Sequence, residues 1–306
     1  MNDTQGRPLP TTIPQYLEQL REALRGADPA LVQDALYDAE EYLRAELAEQ
    51  SGRSESEVIA SVAGSYGAPE EVADIYRQTE VTVNRALRPP RPPKQRSLLG
   101  RFFGVAADPY TYGALFYMLL SLATGVFYFS WVVTGASLSA GLLILIIGVP
   151  LLLLFLMSVR LLSLVEGRIV EVLLGVRMPR RPLYTQRDKP WLTRIGELFT
   201  DGRTWTGMAY LLVMLPLGTA YFTGTVTLLA VSASLLLAPM ALVFDWTGPG
   251  IYLEGLHLDL AGTWPLALLA FVIGVLLLFV TLHLARLVGR FHGWLAKHLL
   301  VRNPVV

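Results

Sequence analysis

The chain has no cysteine, which excludes a disulfide framework, a thiol nucleophile and any cysteine-ligated metal. Histidine is nearly as scarce: His257, His283, His292 and His298 are the four, and none precedes residue 257. The last three are spaced 9 and 6 apart, so they do not stack on one helical face as ligands, and packing at a membrane interface is the better reading. Gly-x-Ser-x-Gly, a phosphate loop, His-Glu-x-x-His and a dinucleotide fingerprint are all missing. No catalytic residues, cofactor or metal site are therefore expected, and the chain reads as not an enzyme. Met1-Asn2-Asp3-Thr4-Gln5 lacks the basic and apolar regions of a signal peptide, so the N-terminal part is expected to stay inside the cell.

Charge is the next shortage, at 16% of residues against 53% hydrophobic ones. Between Tyr112 and Val159 there is no Asp, Glu, Lys, Arg or His. A bilayer core of about 30 Å takes roughly 20 residues of helix, so this run is long enough for two passes. It predicts a transmembrane hairpin from about Tyr112 to Val133 and Leu138 to Val159, with the turn at Thr134-Gly135-Ala136-Ser137. The zero net charge hides a segregation: residues 1–80 carry 16 acidic and 6 basic side chains, and the rest of the chain is correspondingly basic.

The acidic head, residues 1–87, is punctuated as four helices. Thr12 caps a helix that places Tyr16, Leu17, Leu20 and Leu24 on one face and stops at Gly26. Asp28-Pro29 starts a second helix, with Leu31, Ala35, Tyr42 and Leu47 as apolar contacts. Ser54-Glu55-Ser56-Glu57 is a capping box, and Gly67-Ala68-Pro69-Glu70-Glu71 turns into a fourth helix with carboxylates near its positive end. The acidic pairs Glu40/Glu41 and Glu70/Glu71 read as solvated helix faces rather than acid–base or cation sites. Such a surface repels nucleic acid, so any effect on transcription is expected to run through a protein. Tyr16-Leu17-Glu18-Gln19-Leu20, Asp38-Ala39-Glu40-Glu41-Tyr42, the Ser-Glu-x-Glu-Val start and Gly67-Ala68-Pro69-Glu70-Glu71-Val72-Ala73 together resemble the HAAS-type signalling module. That resemblance covers about Ile13 to Arg77. It implies a helical domain ahead of membrane helices and association with a PadR-type transcriptional regulator, with Asp38, Glu40, Glu41, Tyr42, Glu70 and Glu71 as candidate partner-binding residues.

Residues 88–110 form a basic, proline-rich linker around Pro89-Pro90-Arg91-Pro92-Pro93-Lys94. It reads as a semi-rigid spacer, more readily than as a ligand for a proline-binding domain. Leu98, Leu99, Phe102 and Phe103 then make a short amphipathic segment suited to an anionic leaflet. Beyond it the sequence repeats. An offset of 93 places Thr111 on Thr204, Tyr117 on Tyr210, Gly125 on Gly218 and Tyr128 on Tyr221. With a four-residue gap, Pro150 falls on Pro239, and Leu173-Leu174-Gly175-Val176-Arg177 later matches Leu299-Leu300-Val301-Arg302. The units are 111–203 and 204–306, the second containing an outer segment, 244–263, and an amphipathic basic tail.

Basic residues fix the orientation expected. Arg160, Arg168, Arg177, Arg180 and Arg181 lie between the units, and Arg286, Arg290 and Lys297 follow the last span, whereas the outer segment has no Lys or Arg. By the positive-inside rule the head, central loop and tail are cytoplasmic, which requires an even number of spans. Third and fourth spans at about Trp205 to Val226 and Trp264 to Leu284 meet this, leaving Leu228 to Val243 as a re-entrant segment, an interfacial segment or one half of a broken helix; a fifth full span is the rival. Leu161 to Gly175 and the tail read as cytoplasmic surface helices. No ionisable residue then lies deep in a span, which argues against a coupled transporter. The outer segment, with Asp245, Trp246, Tyr252, Glu254 and His257, is the candidate ligand or sensing segment, although aromatics there equally suit a membrane belt.

The paired hairpins, with Leu173-Leu174-Gly175-Val176-Arg177-Met178-Pro179, Thr204-Trp205-Thr206 and Leu215-Pro216-Leu217-Gly218, resemble the sensor domain that precedes bacterial histidine kinases. The likeness covers about Thr111 to Arg302; none of the 306 residues reads as a kinase dimerisation or ATP-binding region, so output by phosphorylation is not expected from them. The fold class expected is all-α: a small soluble bundle followed by a polytopic helical membrane domain of two tandem hairpin repeats, with four spans or five. The function expected is that of a bacterial inner-membrane signalling protein acting on a cytoplasmic regulator. An accessory or scaffold subunit of a transporter or envelope enzyme is the alternative, and a solute channel is disfavoured by the lack of polar lining. The bilayer, with its anionic inner leaflet, is the other expected partner, and homo-oligomerisation is left open.

Overall fold

A computed structural model describes residues 9–50, 52–87, 97–145, 147–180, 196, 198–244, 250–253, 256–259 and 262–301. They divide into two compact units. One combines residues 1–91 with 177–200 and 301–306, and the other comprises 92–176 and 201–300.

In the first unit the helices are α1 (Ile13–Ala23), α2 (Pro29–Glu49), α3 (Glu55–Ser65) and α4 (Pro69–Leu87). Their starts follow from side chains competing for the free amides of a first turn. The Asp28 carboxylate accepts from the Ala30 amide at 3.0 Å. Ser54 and Glu57 form the reciprocal capping box. Tyr16, Leu17, Leu20 and Leu24 pack with Leu31, Ala35, Leu43, Ile59, Val62 and Val72 in one apolar core. Gly67 takes a left-handed φ of 117°, and its carbonyl accepts the Tyr16 hydroxyl at 2.8 Å. A piece of the central loop completes this unit. Met178 is fully buried, Arg177 pairs with Asp34 at 3.0 Å, and the Arg180 amide donates to the other Asp34 oxygen at 2.8 Å.

The second unit opens with α5 (Leu98–Phe103) and a 3-10 turn (Gly104–Ala107), then α6 (Pro109–Leu142) and α7 (Gly148–Leu174). It continues with α8 (Gly202–Leu236), α9 (Ala238–Val243), the strands β1 (Gly250–Leu253) and β2 (Leu256–Asp259), and α10 (Trp264–Leu300). Four of these helices, α6, α7, α8 and α10, are long and apolar enough to cross a membrane. The all-α expectation holds, with one small antiparallel hairpin in the outer segment that pairs Tyr252 with His257.

The boundaries differ from those expected. Helix α6 runs straight through Thr134-Gly135-Ala136-Ser137, because Gly135 supplies space for the Phe155 ring instead of a turn. Helix α8 likewise absorbs Leu228 to Leu236, so only the end of the leftover run forms the separate helix α9, packed through Ala238 and Ala241 on Ala267 and Ala270. The amphipathic segment does not simply face a leaflet, since Phe102 and Phe103 pack on Phe279 with ring centroids 5.6 and 4.7 Å apart.

The repeat is deeper than its sequence match. Every position buried in α6 has its offset-93 counterpart buried in α8, from Thr111/Thr204 to Ser139/Ser232. An offset of 126 does the same for α7 and α10, from Gly148/Gly274 to Val170/Ala296. The second offset is larger because α9 and the β-hairpin are inserted between α8 and α10, so Pro150 corresponds to Leu276 and not to Pro239. Contacts across the body are reciprocal. A Cβ on Gly125 would lie 2.5 Å from the Met214 carbonyl oxygen, and one on Gly218 would meet that of Ser121, the residue equivalent to Met214. Arg160 of α7 pairs with Asp201, the N-cap of α8, at 2.9 Å. Its equivalent, Arg286 of α10, pairs with Asp108, the N-cap of α6, at 2.7 Å. The body is thus a pseudo-twofold pair of hairpins crossed at two glycines.

Candidate functional site

The structure brings together an acid and a base where neither was expected. Glu166 was expected on a cytoplasmic surface helix and His292 in the tail, but α7 and α10 continue past both, and both side chains are fully buried. They occupy equivalent positions, one in each repeat, eight residues before the ends of their helices at Leu174 and Leu300. Four tyrosines join them, two from α6 and their two equivalents from α8.

Glu166 Oε1 accepts the hydroxyls of Tyr117 at 2.6 Å and Tyr210 at 3.1 Å. Its Oε2 accepts the hydroxyl of Tyr128 at 2.9 Å. The same Tyr117 and Tyr210 oxygens lie 2.5 and 2.7 Å from His292 Nε2, and Tyr221 lies 3.5 Å from Nδ1. A phenol has one proton to give. With Tyr117 and Tyr210 donating to the carboxylate, the arrangement that satisfies every group carries the imidazole proton on Nε2, shared between their oxygens, and Nδ1 accepts from Tyr221. All donation then runs one way, from Tyr221 through His292 and the two central tyrosines to Glu166. Tyr128 serves the carboxylate of its own repeat and Tyr221 the imidazole of its own, so the pseudo-twofold axis passes between Tyr117 and Tyr210. Chemically this is a continuous proton-holding network within apolar helices, the setting in which an ionisable group marks function rather than packing.

The sites read from sequence are placed less tellingly. In α2, Glu40 is buried and paired with Arg44 at 2.7 Å, so it cannot serve as partner surface: its helix turns this carboxylate inward. Asp38 accepts the Tyr76 hydroxyl at 3.1 Å, and Tyr42 stacks on Tyr66 at 4.4 Å. Burial, then the neighbouring Tyr66 and Asp38, holds the Tyr76 hydroxyl well above its ordinary pKa. Glu71 is exposed beyond its bond to the Ala68 amide, Glu41 is exposed, and Glu70 is half-buried. In the outer segment Tyr252 and His257 are strand partners, while Asp245, Trp246 and Glu254 lie outside the described residues. His283 Nε2 lies 3.1 Å from the Phe102 carbonyl, a packing role. Among the described residues no group of three or more acidic or histidine side chains is placed to hold a metal. The basic linker around Pro89 to Lys94 lies outside the described residues.

Helix pairs of this kind, built around a shared buried acid–base network and joined in one chain to a small helical domain, define a polytopic membrane protein that buries one acid and one base in the interior of the bundle. The family described as "Putative sensor" matches residues 117–300, from the first tyrosine of the network to the end of α10, and the chain belongs to that family. No curated protein matches the chain, and no solved structure does.

Proposed function

We propose that this protein is a non-enzymatic sensor of the bacterial cytoplasmic membrane, whose helical head engages a cytoplasmic regulator of the PadR type by direct contact. The head, the central loop and the tail lie inside the cell on this reading, in keeping with the basic residues beside them. The observation that carries it is the Glu166–His292 network. A sensor needs an element with two arrangements of similar free energy, and a buried carboxylate whose three donors come from two other helices changes its helix contacts whenever its proton count or hydration changes. Helix α7 carries Glu166, ends at the left-handed Gly175, and within a few residues becomes the Arg177–Arg180 segment held by Asp34. A shift of α7 along or about its axis therefore pulls on a segment that belongs to the head's own unit. Exposed Glu41 and Glu71, rather than Glu40, supply the acidic face for the partner.

Cross-linking and pull-down from cells tests it, with the intact chain compared against residues 89–306. Recovery of a winged-helix regulator only with the intact chain is the expected result. Recovery of transport or envelope-enzyme components with both would reject signalling in favour of a scaffold role. Glu41→Cys checks the placement: labelling of whole cells by an impermeant thiol reagent would put the head outside and end the proposal.

A further inference from the structure

The donors in the buried network can be counted, and the count leaves a charge. Three phenols donate to Glu166, from Tyr117 and Tyr128 of α6 and Tyr210 of α8, and a carboxyl that acts only as acceptor is ionised. The imidazole of His292, on α10, donates through Nε2 and accepts from Tyr221 at Nδ1, so it is neutral. One negative charge therefore lies inside the bundle, and no cation answers it. Among the described residues, Arg160 is held by Asp201, Arg168 by Glu171 and Arg286 by Asp108, while Arg290 is exposed and Lys297 half-buried. A buried ion without a counter-ion is costly, and one added proton cancels it.

The same atoms can hold that proton in two ways, and both end alike. Placed on Nδ1, it makes an imidazolium one phenol oxygen away from the carboxylate, with every bond to Glu166 kept. Placed on Glu166, it is donated to Tyr117 or Tyr210, which turns its own hydroxyl to Nε2 and drives the imidazole proton to Nδ1. In either case Nδ1 becomes a donor, so Tyr221 must change from donor to acceptor. At 3.5 Å this is the longest link in the network, and Tyr221 has room to give way. In the first repeat Phe155 packs its ring over Gly135 and the Trp131 indole bonds Ser158. The equivalents of Phe155 and Trp131 are Thr281 and Gly224, and these line an open groove beside Tyr221. The network also lies near one end of the bundle. Tyr112 and Trp205 are exposed at the starts of α6 and α8, as aromatics are at a membrane–water interface. Tyr117 and Tyr210 follow them by five residues, about 8 Å of helix.

We propose that the network is a binding site for one further proton, shared by Glu166 and His292, whose uptake turns the Tyr221 hydroxyl from donor to acceptor and so changes the contact between α8 and α10. One proton is added from water and nothing else is exchanged. This rests on the reading of the network as the sensing element and names what that element binds.

The test uses the full chain in phosphatidylcholine nanodiscs, carrying isotope-labelled histidine and followed by nitrogen NMR as pH is lowered from about 8 to about 4, a range that brackets an ordinary histidine. The His292 signal is assigned by its loss in His292→Gln. Its Nδ1 is expected to pass from acceptor to N–H in one transition. Glu166→Gln removes both the opposite charge and the alternative place for the proton, and is expected to weaken proton binding about tenfold or more. An Nδ1 that stays an acceptor throughout would overturn the proposal, and that result needs no variant to fold. So would an unchanged midpoint in Glu166→Gln, which would make His292 an independent imidazole. The titration involves no partner of the head. A flat titration in a chain that still captures a regulator removes the proton and leaves signalling, whereas a transition in a chain that captures none removes signalling alone.

Discussion

Glu166 takes three phenolic protons and offers none, so its neighbours depend on it more than it depends on any one of them. Glu166→Ala leaves Tyr117, Tyr128 and Tyr210 without their acceptor. Each stranded buried donor costs about 1–3 kcal/mol, so the variant is expected to unfold well below the parent in detergent melts. Glu166→Gln keeps one acceptor oxygen but adds an amide donor that faces hydroxyls already donating, and a smaller loss is expected. A different residue sets the behaviour of the head. Burial, then Tyr66 and the carboxylates of Glu70 and Glu71, hold the Tyr16 hydroxyl well above the ordinary tyrosine value. The folded pKa is raised, so this contribution is complete below the unfolded value of about 10 and is lost as pH rises above it. The denaturant midpoint of the head's transition should therefore fall as pH is raised from about 9 to about 11, across that unfolded value, and Tyr16→Phe should make that fall shallower, with Tyr76, also raised by burial, keeping its own share. The two residues were not equally legible. Tyr16 stood out by its helical spacing with Leu17, Leu20 and Leu24, whereas Glu166 looked like a solvated charge, since its tyrosines lie on other helices and no local pattern announces them.

The long helices show where reading by element succeeds and where it stops. Caps are local chemistry, and Asp28, Ser54 and Glu57 act as the sequence indicates. Helix ends inside an apolar body are not local. A minimum of roughly 20 residues per span trims α7 at Val159 and α10 at Leu284, but the helices reach Leu174 and Leu300 because their neighbours continue beside them. That trimming put Glu166 and His292 outside the bundle. The missed signal was in the match of Leu173-Leu174 with Leu299-Leu300: carried eight residues back from Leu174 and Leu300, it sets Glu166 on His292 and exposes the pairing. The glycine crossing of α6 and α8 also belongs to this scale. A methyl at Gly125 would meet the Met214 backbone at 2.5 Å, and backbone cannot step aside as a side chain can. Gly125→Ala and Gly218→Ala should each cost about 1–3 kcal/mol, the usual range for overpacking. Gly141→Ala, where an added Cβ meets nothing within 4 Å, should be neutral or gain a few tenths. Thermal melts of the three side by side decide whether the crossing is as tight as its geometry.

At the scale of the whole body, the pseudo-twofold axis makes a demand that no single contact does. Glu166 and His292 sit at equivalent positions, each with a tyrosine of its own repeat and both sharing Tyr117 and Tyr210. If the hairpins are equivalent, the acid and the base should be exchangeable. Glu166→His alone puts two imidazoles against the shared tyrosines and removes the acceptor that takes both hydroxyls. His292→Glu alone puts two carboxylates there, which repel if both ionise. The double variant restores one of each, with Tyr128 now beside the imidazole and Tyr221 beside the carboxylate. Residues joined in one network couple by about 0.5–3 kcal/mol, so the double variant should melt above either single one. Simple addition of the two losses would mean that Thr281 and Phe155, or Gly224 and Trp131, make the two halves too unlike for the exchange. If the head captures a regulator as proposed, recovery that also restores this capture would place the signal in the acid–base pair itself, independent of which hairpin carries the acid.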